Sequence, residues 1–186
     1  MRVLIQPEVQ IQRINWLLTE LAEYKLLSDV VLSRKLSNES WSMLEVIKHM
    51  TISHNEYKNK IMTSLNSEIG KGIVADGMKC GFVASWIINR FVPRENGVRF
   101  KMKTSNKFIP LITASDTADD LICNLEKTLI QLKSWIERYL TINVSTKKFN
   151  SAVGPIIRFN CPEACEFILA HNERHFFQMR QILASI

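Results

Sequence analysis

Cysteine is scarce in this chain. Four residues in 186 (Cys80, Cys123, Cys161, Cys165) do not make a disulfide framework. Cys161 and Cys165 share a CxxxC spacing that a helix would put on one face, and they read as small buried thiols. Glycine and proline are equally sparse, at six and five, and seven of these eleven fall between positions 70 and 115. No apolar run approaches the roughly 20 residues of a spanning helix, so no membrane association is expected. The start, MRVLIQPEVQ, lacks the apolar core and cleavage site of a secretory leader, and a cytoplasmic location is the expectation. There is no internal repeat and no low-complexity segment. Acidic residues are missing from one stretch: residues 71–107 hold Lys71, Lys79, Arg90, Arg94, Arg99, Lys101, Lys103 and Lys107 against only Asp76 and Glu95, which accounts for the whole net charge of +6. These charges are widely spaced and not interleaved with aromatics. They read as a solvated surface, and a nucleic-acid partner is not expected.

What is present is helical periodicity. A hydrophobic fraction of 46% and a length of 186 residues suffice for a full core, and one domain spanning 1–186 is expected. Ile11, Ile14, Leu18 and Leu21 mark a first helix over about 7–33, entered through Pro7. Ser42-x-x-Glu45 is a capping box that opens a second helix, running to about Ser67 before Gly70 and Gly72. Residues 70–115 then form a long connection whose apolar piece, Phe82 to Phe91, makes a short helix. A third helix is capped at Asp116 or Thr117 and buries Leu121, Leu125, Leu129, Leu132, Ile136 and Tyr139. A linker containing Gly154 and Pro155 leads to Asn160-x-x-Glu163, which opens the last helix. The class is therefore all-α, a four-helix bundle with a long crossover between the second and third helices.

The chain has four histidines, and two of them, His171 and His175, are four residues apart. On a helix both imidazoles point from one face and reach a common ion. The residue after His171 is Asn172, so the glutamate of the HExxH zinc-protease helix is missing. Ala164, Phe167, Ile168, Gln178, Met179 and Ile182 share this face, which is core-facing, and imidazoles there need a polar partner or an ion. A third ligand must come from another helix, where His49 and His54 are both available. The stripe Met43, Ile47, Met50, Tyr57, Ile61 includes position 54 rather than 49, and on pattern alone the choice stays open.

The segment from Trp41 to Met50, Trp41-Ser42-Met43-Leu44-Glu45-Val46-Ile47-Lys48-His49-Met50, resembles the opening of the second helix in the DinB/YfiT-like family of metalloenzymes. The run from Phe167 to Met179, with HxxxH followed by Gln178, is similar to that family's final helix. Helix count, chain length and the long connection are similar too. The resemblance implies a bundle in which His49, His171 and His175 hold a divalent ion, nickel or zinc, with water or substrate completing its shell. Members of that family include thiol S-transferases and a thiol-dependent isomerase, so a low-molecular-weight thiol is a possible second cofactor.

Three imidazoles leave an open coordination position, the plan of a catalytic site. The expected activity is metal-dependent activation of a thiol or water against a small electrophilic substrate, of transferase or hydrolase type. Glu56, two turns after His49, and Gln178 are candidates to orient an imidazole by accepting its other N–H. Trp41 reads as a packing staple before its helix. Two other readings stand beside the enzyme: a non-catalytic bundle that holds a small molecule or metal, and nucleic-acid binding through 71–107. A homodimer is plausible for an apolar bundle.

Overall fold

The computed structural model describes residues 2–67, 77–93, 104–142, 144 and 146–186. Its helices are α1 (Pro7–Tyr24), α2 (Asp29–Ser33), α3 (Met43–Asn66), α4 (Phe82–Phe91), α5 (Ala118–Thr141) and α6 (Cys161–Ala184). Four of them form the bundle. Both α1 and α3 pack against α5 and α6, and they hardly touch each other. Each of α1 and α3 therefore needs two apolar faces.

The helix starts follow from local chemistry. Ser42 Oγ accepts from Glu45 N–H and the Glu45 carboxylate accepts from Ser42 N–H, at 3.3 and 2.8 Å. Asn160 and Glu163 make the same reciprocal pair at 3.0 and 3.1 Å. Thr117 accepts from Asp120 N–H. Each such cap contributes about 1 kcal/mol by satisfying amides the helix leaves unpaired. The third-helix stripe Leu121, Leu125, Leu129, Leu132, Ile136 and Tyr139 is buried throughout.

The chain departs from the expected elements in two places. The single helix over 7–33 is two helices. Past Tyr24 the apolar residues Leu26 and Val30 lie 87% and 80% exposed, and Ser28 accepts from Val31 N–H to start α2 afresh, which brings Leu32 back to the core. The linker before α6 is a hairpin of β3 (Phe149–Ser151) and β4 (Gly154–Phe159), antiparallel with a register shift at Asn150/Ser151. A second small ladder pairs β1 (Leu4–Ile5) with β2 (Met78–Lys79), joining the chain start to the crossover. The architecture stays a helical bundle with two short ladders at its margins.

The described parts of the crossover are tied to α3 and α6. Gly81, just before α4, donates its N–H to Glu163 at 2.7 Å, and a Cβ there would lie 3.0 Å from Lys148 Nζ and 3.2 Å from that carboxylate. Glycine leaves room there for the Lys148 and Glu163 side-chain ends that meet at the start of α6. Further on, Lys48 Nζ on α3 binds the Leu111 carbonyl at 2.6 Å and Asp116 at 2.7 Å, holding the stretch that follows a 3₁₀ turn at Asn106–Phe108. Gly70, Gly72, Gly97, Lys71, Arg94, Arg99, Lys101 and Lys103 fall outside the described residues. No helix among the described residues is long and apolar enough to cross a membrane.

Candidate metal centre

The two faces of α3 explain why the hydrophobic pattern does not choose between its histidines. One face, with Ile47, Met50 and Tyr57, carries His54, which stacks on Trp135 of α5 at 4.7 Å and 10°. His54 Nε2 meets Gln131 Oε1 at 3.2 Å, and burial pushes its pKa down to about 4. The other face, with Val46, turns His49 toward α6. Both imidazoles are buried, but only His49 points at His171 and His175.

The three rings converge through their Nε2 atoms. His171 Nε2 lies 3.3 Å from that of His49 and 3.2 Å from that of His175, and all three ligand atoms fall within 4.8 Å of one another. His49 Nδ1 donates to the Phe108 carbonyl at 2.8 Å, and His175 Nδ1 donates to Gln178 Oε1 at 2.9 Å. Each of those N–H bonds places the neutral ring's lone pair on the inward Nε2. His171 can offer at most one N–H to the two lone pairs beside it, whereas a cation satisfies all three nitrogens together. Two of the three nitrogen pairs, at 3.3 and 3.2 Å, have the spacing of about 3.3 Å that an ion held tetrahedrally by imidazole at about 2.0–2.1 Å sets between its ligands. The donor set fits a divalent metal.

Electrostatics favour neutral ligands. Desolvation lowers the pKa of all three. His171 is held well below its usual range by burial and then by its two neighbours, and burial brings His175 to about 3. For His49, burial outweighs the opposing pull of the Phe108 carbonyl. Neutral imidazole is the form that binds metal.

The triad opens into a cavity of about 820 Å³. Its walls include Trp41, Phe91, Phe108, Phe167 and Ile168, with Tyr57, Ser53, Ser105 and Gln178 as polar points. Trp41 packs on the His49 ring at 4.8 Å, so it serves the site as well as the helix start. Phe91, delivered by α4, lies 5.8 Å from the His171 ring. Arg174 also lines the cavity. Its Nη1 is buried with no hydrogen-bond partner, and desolvation alone shifts its pKa, downward.

Of the two orienting candidates, Gln178 contacts a triad ring and Glu56 does not. Glu56 is exposed and pairs with Lys107 at 2.9 Å. The Phe108 carbonyl fills the role at His49, and sequence reading misses it because a backbone acceptor 59 residues away has no side-chain signature. Phe91 and Arg174 were equally unmarked. Of the basic segment, Lys107 is engaged with Glu56, and Arg90 lies over Trp86 at 4.1 Å. Among the described residues Cys80, Cys161 and Cys165 are buried and Cys123 is half-buried, and no cysteine joins the metal-binding group.

No family model and no curated protein matches the sequence. Among solved structures the chain is similar to YfiT from Bacillus subtilis, described as a probable metal-dependent hydrolase with an unusual four-helix bundle topology. The likeness has a TM-score of 0.59 at 14% identity, covering 97% of this chain and 87% of that one. At that identity it establishes the fold. This chain has the YfiT-type bundle, with a buried three-histidine cluster inside it.

Proposed function

We propose that the protein is a metal-dependent enzyme of hydrolase type, in which His49, His171 and His175 hold a divalent ion, nickel or zinc, beside a pocket for a small electrophilic substrate. The observation that carries this reading is the convergence of three Nε2 atoms, two of whose lone pairs are directed inward by the Phe108 carbonyl and Gln178. The fold shared with a protein described as a probable metal-dependent hydrolase supports it. When bound, such an ion supplies Lewis acidity and lowers the pKa of a water or thiol presented to it.

The chain's own groups do the rest. Phe108 and Gln178 fix the tautomers of two rings, so two of the three ligands already present their lone pairs inward. Trp41, Phe91 and Phe167 give the pocket aromatic walls, which lower the local dielectric and strengthen charge interactions beside them. Glu39, at the exposed rim, is the one carboxylate lining the cavity among the described residues. A thiol nucleophile would have to come from a low-molecular-weight partner, because none of the chain's four cysteines lines the pocket.

Metal analysis of the purified protein, with single His→Ala variants, tests the site. One equivalent of metal is expected in the parent and in His54→Ala, and little in His49→Ala, His171→Ala or His175→Ala. Retention of metal by two of the triad variants would sink the assignment. Hydrolysis of an ester and amide panel, with and without chelator and with added small thiols, separates water from thiol as nucleophile. Bound metal with no turnover in any arm points to a non-catalytic binding bundle instead.

A further inference from the structure

Several arginines among the described residues are held by acceptors. Arg13 grips Glu173 and Glu166, Arg180 binds Glu20, Arg138 binds Asn66, and Arg158 binds the Lys148 carbonyl. Arg174 differs. It sits on α6 directly before His175 and lines the cavity, and no carboxylate pairs with it among the described residues. Its guanidinium lies 5.3 Å from the Phe91 ring centroid, and the same ring lies 5.8 Å from His171. Nη1 is buried without a partner, which costs free energy unless something supplies an acceptor. A planar guanidinium against an aromatic ring, with one nitrogen buried and unsatisfied, is matched by an oxyanion.

We infer that Arg174 recognises an anionic group, a carboxylate or phosphate, on the substrate, and orients the rest of that molecule toward the three histidines. This rests on the proposed function in taking the cavity as the substrate pocket. Phe91 bridges the two subsites, stacking under the cation on one side and walling the triad on the other, so one small molecule spans both. The chain then selects substrates by charge at one end and by reactivity at the other.

The test is calorimetric titration of the purified protein, its metal content measured, with phenylacetate, phenyl phosphate and the neutral phenylacetamide. At least one anion is expected to bind about tenfold or more tighter than the amide, the scale of one charge-assisted hydrogen bond. Which anion wins tells carboxylate from phosphate. Arg174→Gln is expected to abolish the preference and Arg174→Lys to keep part of it, with metal content unchanged in both. The inference is overturned if neither anion binds in preference to the amide, or if the preference survives in Arg174→Gln, which would put the anion on the metal. A metal-free preparation with an Arg174-dependent preference would remove the metal assignment and leave this one standing. A metal-loaded protein without the preference would remove this one alone.

Discussion

Two buried polar groups lie on different faces of α6, and they are finished to different degrees. Toward α1, Glu166 accepts from Arg13 and Gln10, Arg13 also binds Glu173 through two nitrogens, and Tyr139 donates to Gln10. The charges there are opposed and the hydrogen-bonding valences filled, although burial still raises the Glu166 pKa against the pull of Arg13. Toward α3 and the pocket, three imidazoles leave their inner nitrogens converging on one point and Arg174 has no counter-ion among the described residues. A filled cluster holds helices together; an unfilled one of similar depth is a place where something binds.

The sharpest way to break this contrast is to open the filled side. Arg13→Met leaves Glu166 buried and unpaired, and removing one member of a buried ion pair costs about 3–5 kcal/mol. Denaturant unfolding should show that loss while metal content stays at the parent level. His171→Ala should do the reverse, losing the metal with little change in the stability of the metal-free protein. If Arg13→Met depletes metal as strongly as His171→Ala, the two sides of α6 are one functional unit and the contrast fails.

A smaller effect separates the two histidines of α3. His54 is buried neutral, with its pKa brought down to about 4 from 6.5 by desolvation. Between those values the unfolded chain takes up a proton that the native state refuses. Stability is therefore fully present above about pH 6.5 and declines as pH falls toward 4, by on the order of 3 kcal/mol. His54→Phe keeps the stack on Trp135 and should flatten that part of the stability profile relative to the parent, without touching the metal. An unchanged slope between pH 6.5 and 4 would mean that His54 is solvated in the native state.

How much of this was legible depends on whether the cause is local. Both capping boxes, the stripe of α5 and the short helix at Phe82–Phe91 are encoded within a few residues, and they read directly. The end of α1 has no glycine or proline to mark it. It is decided by where the chain can reach the core, with Leu26 and Val30 exposed and Leu32 buried from the second helix, which is a tertiary fact. The β1–β2 ladder joins residues more than 70 positions apart, and the strands of the hairpin before α6 are too short to show a period. At the site, the spacing of His171 and His175 is local. The choice of His49 over His54 needs the knowledge that α3 has two neighbours, because each histidine belongs to a different buried face.

The smallest expected effect concerns the groups that orient the ligands, where the structure distinguishes two residues that sequence spacing treats alike. Gln178 Oε1 accepts the His175 Nδ1–H at 2.9 Å, whereas Glu56 is 40% exposed by side chain and holds Lys107. Loss of an orienting acceptor behind a metal-bound imidazole weakens metal affinity by about 10–100-fold, and the lower end is expected here because the ring stays clamped by its neighbours. Gln178→Leu should therefore raise the metal dissociation constant about tenfold, read by competition with a chromophoric chelator, and Gln178→Glu should restore or exceed the parent affinity because a carboxylate accepts the same proton more strongly. Glu56→Gln should leave the constant unchanged, since an exposed ion pair contributes little and touches no ligand. Equal losses in Gln178→Leu and Glu56→Gln would mean that both act through the overall field of the pocket, and that the hydrogen bond to His175 sets neither its tautomer nor its orientation.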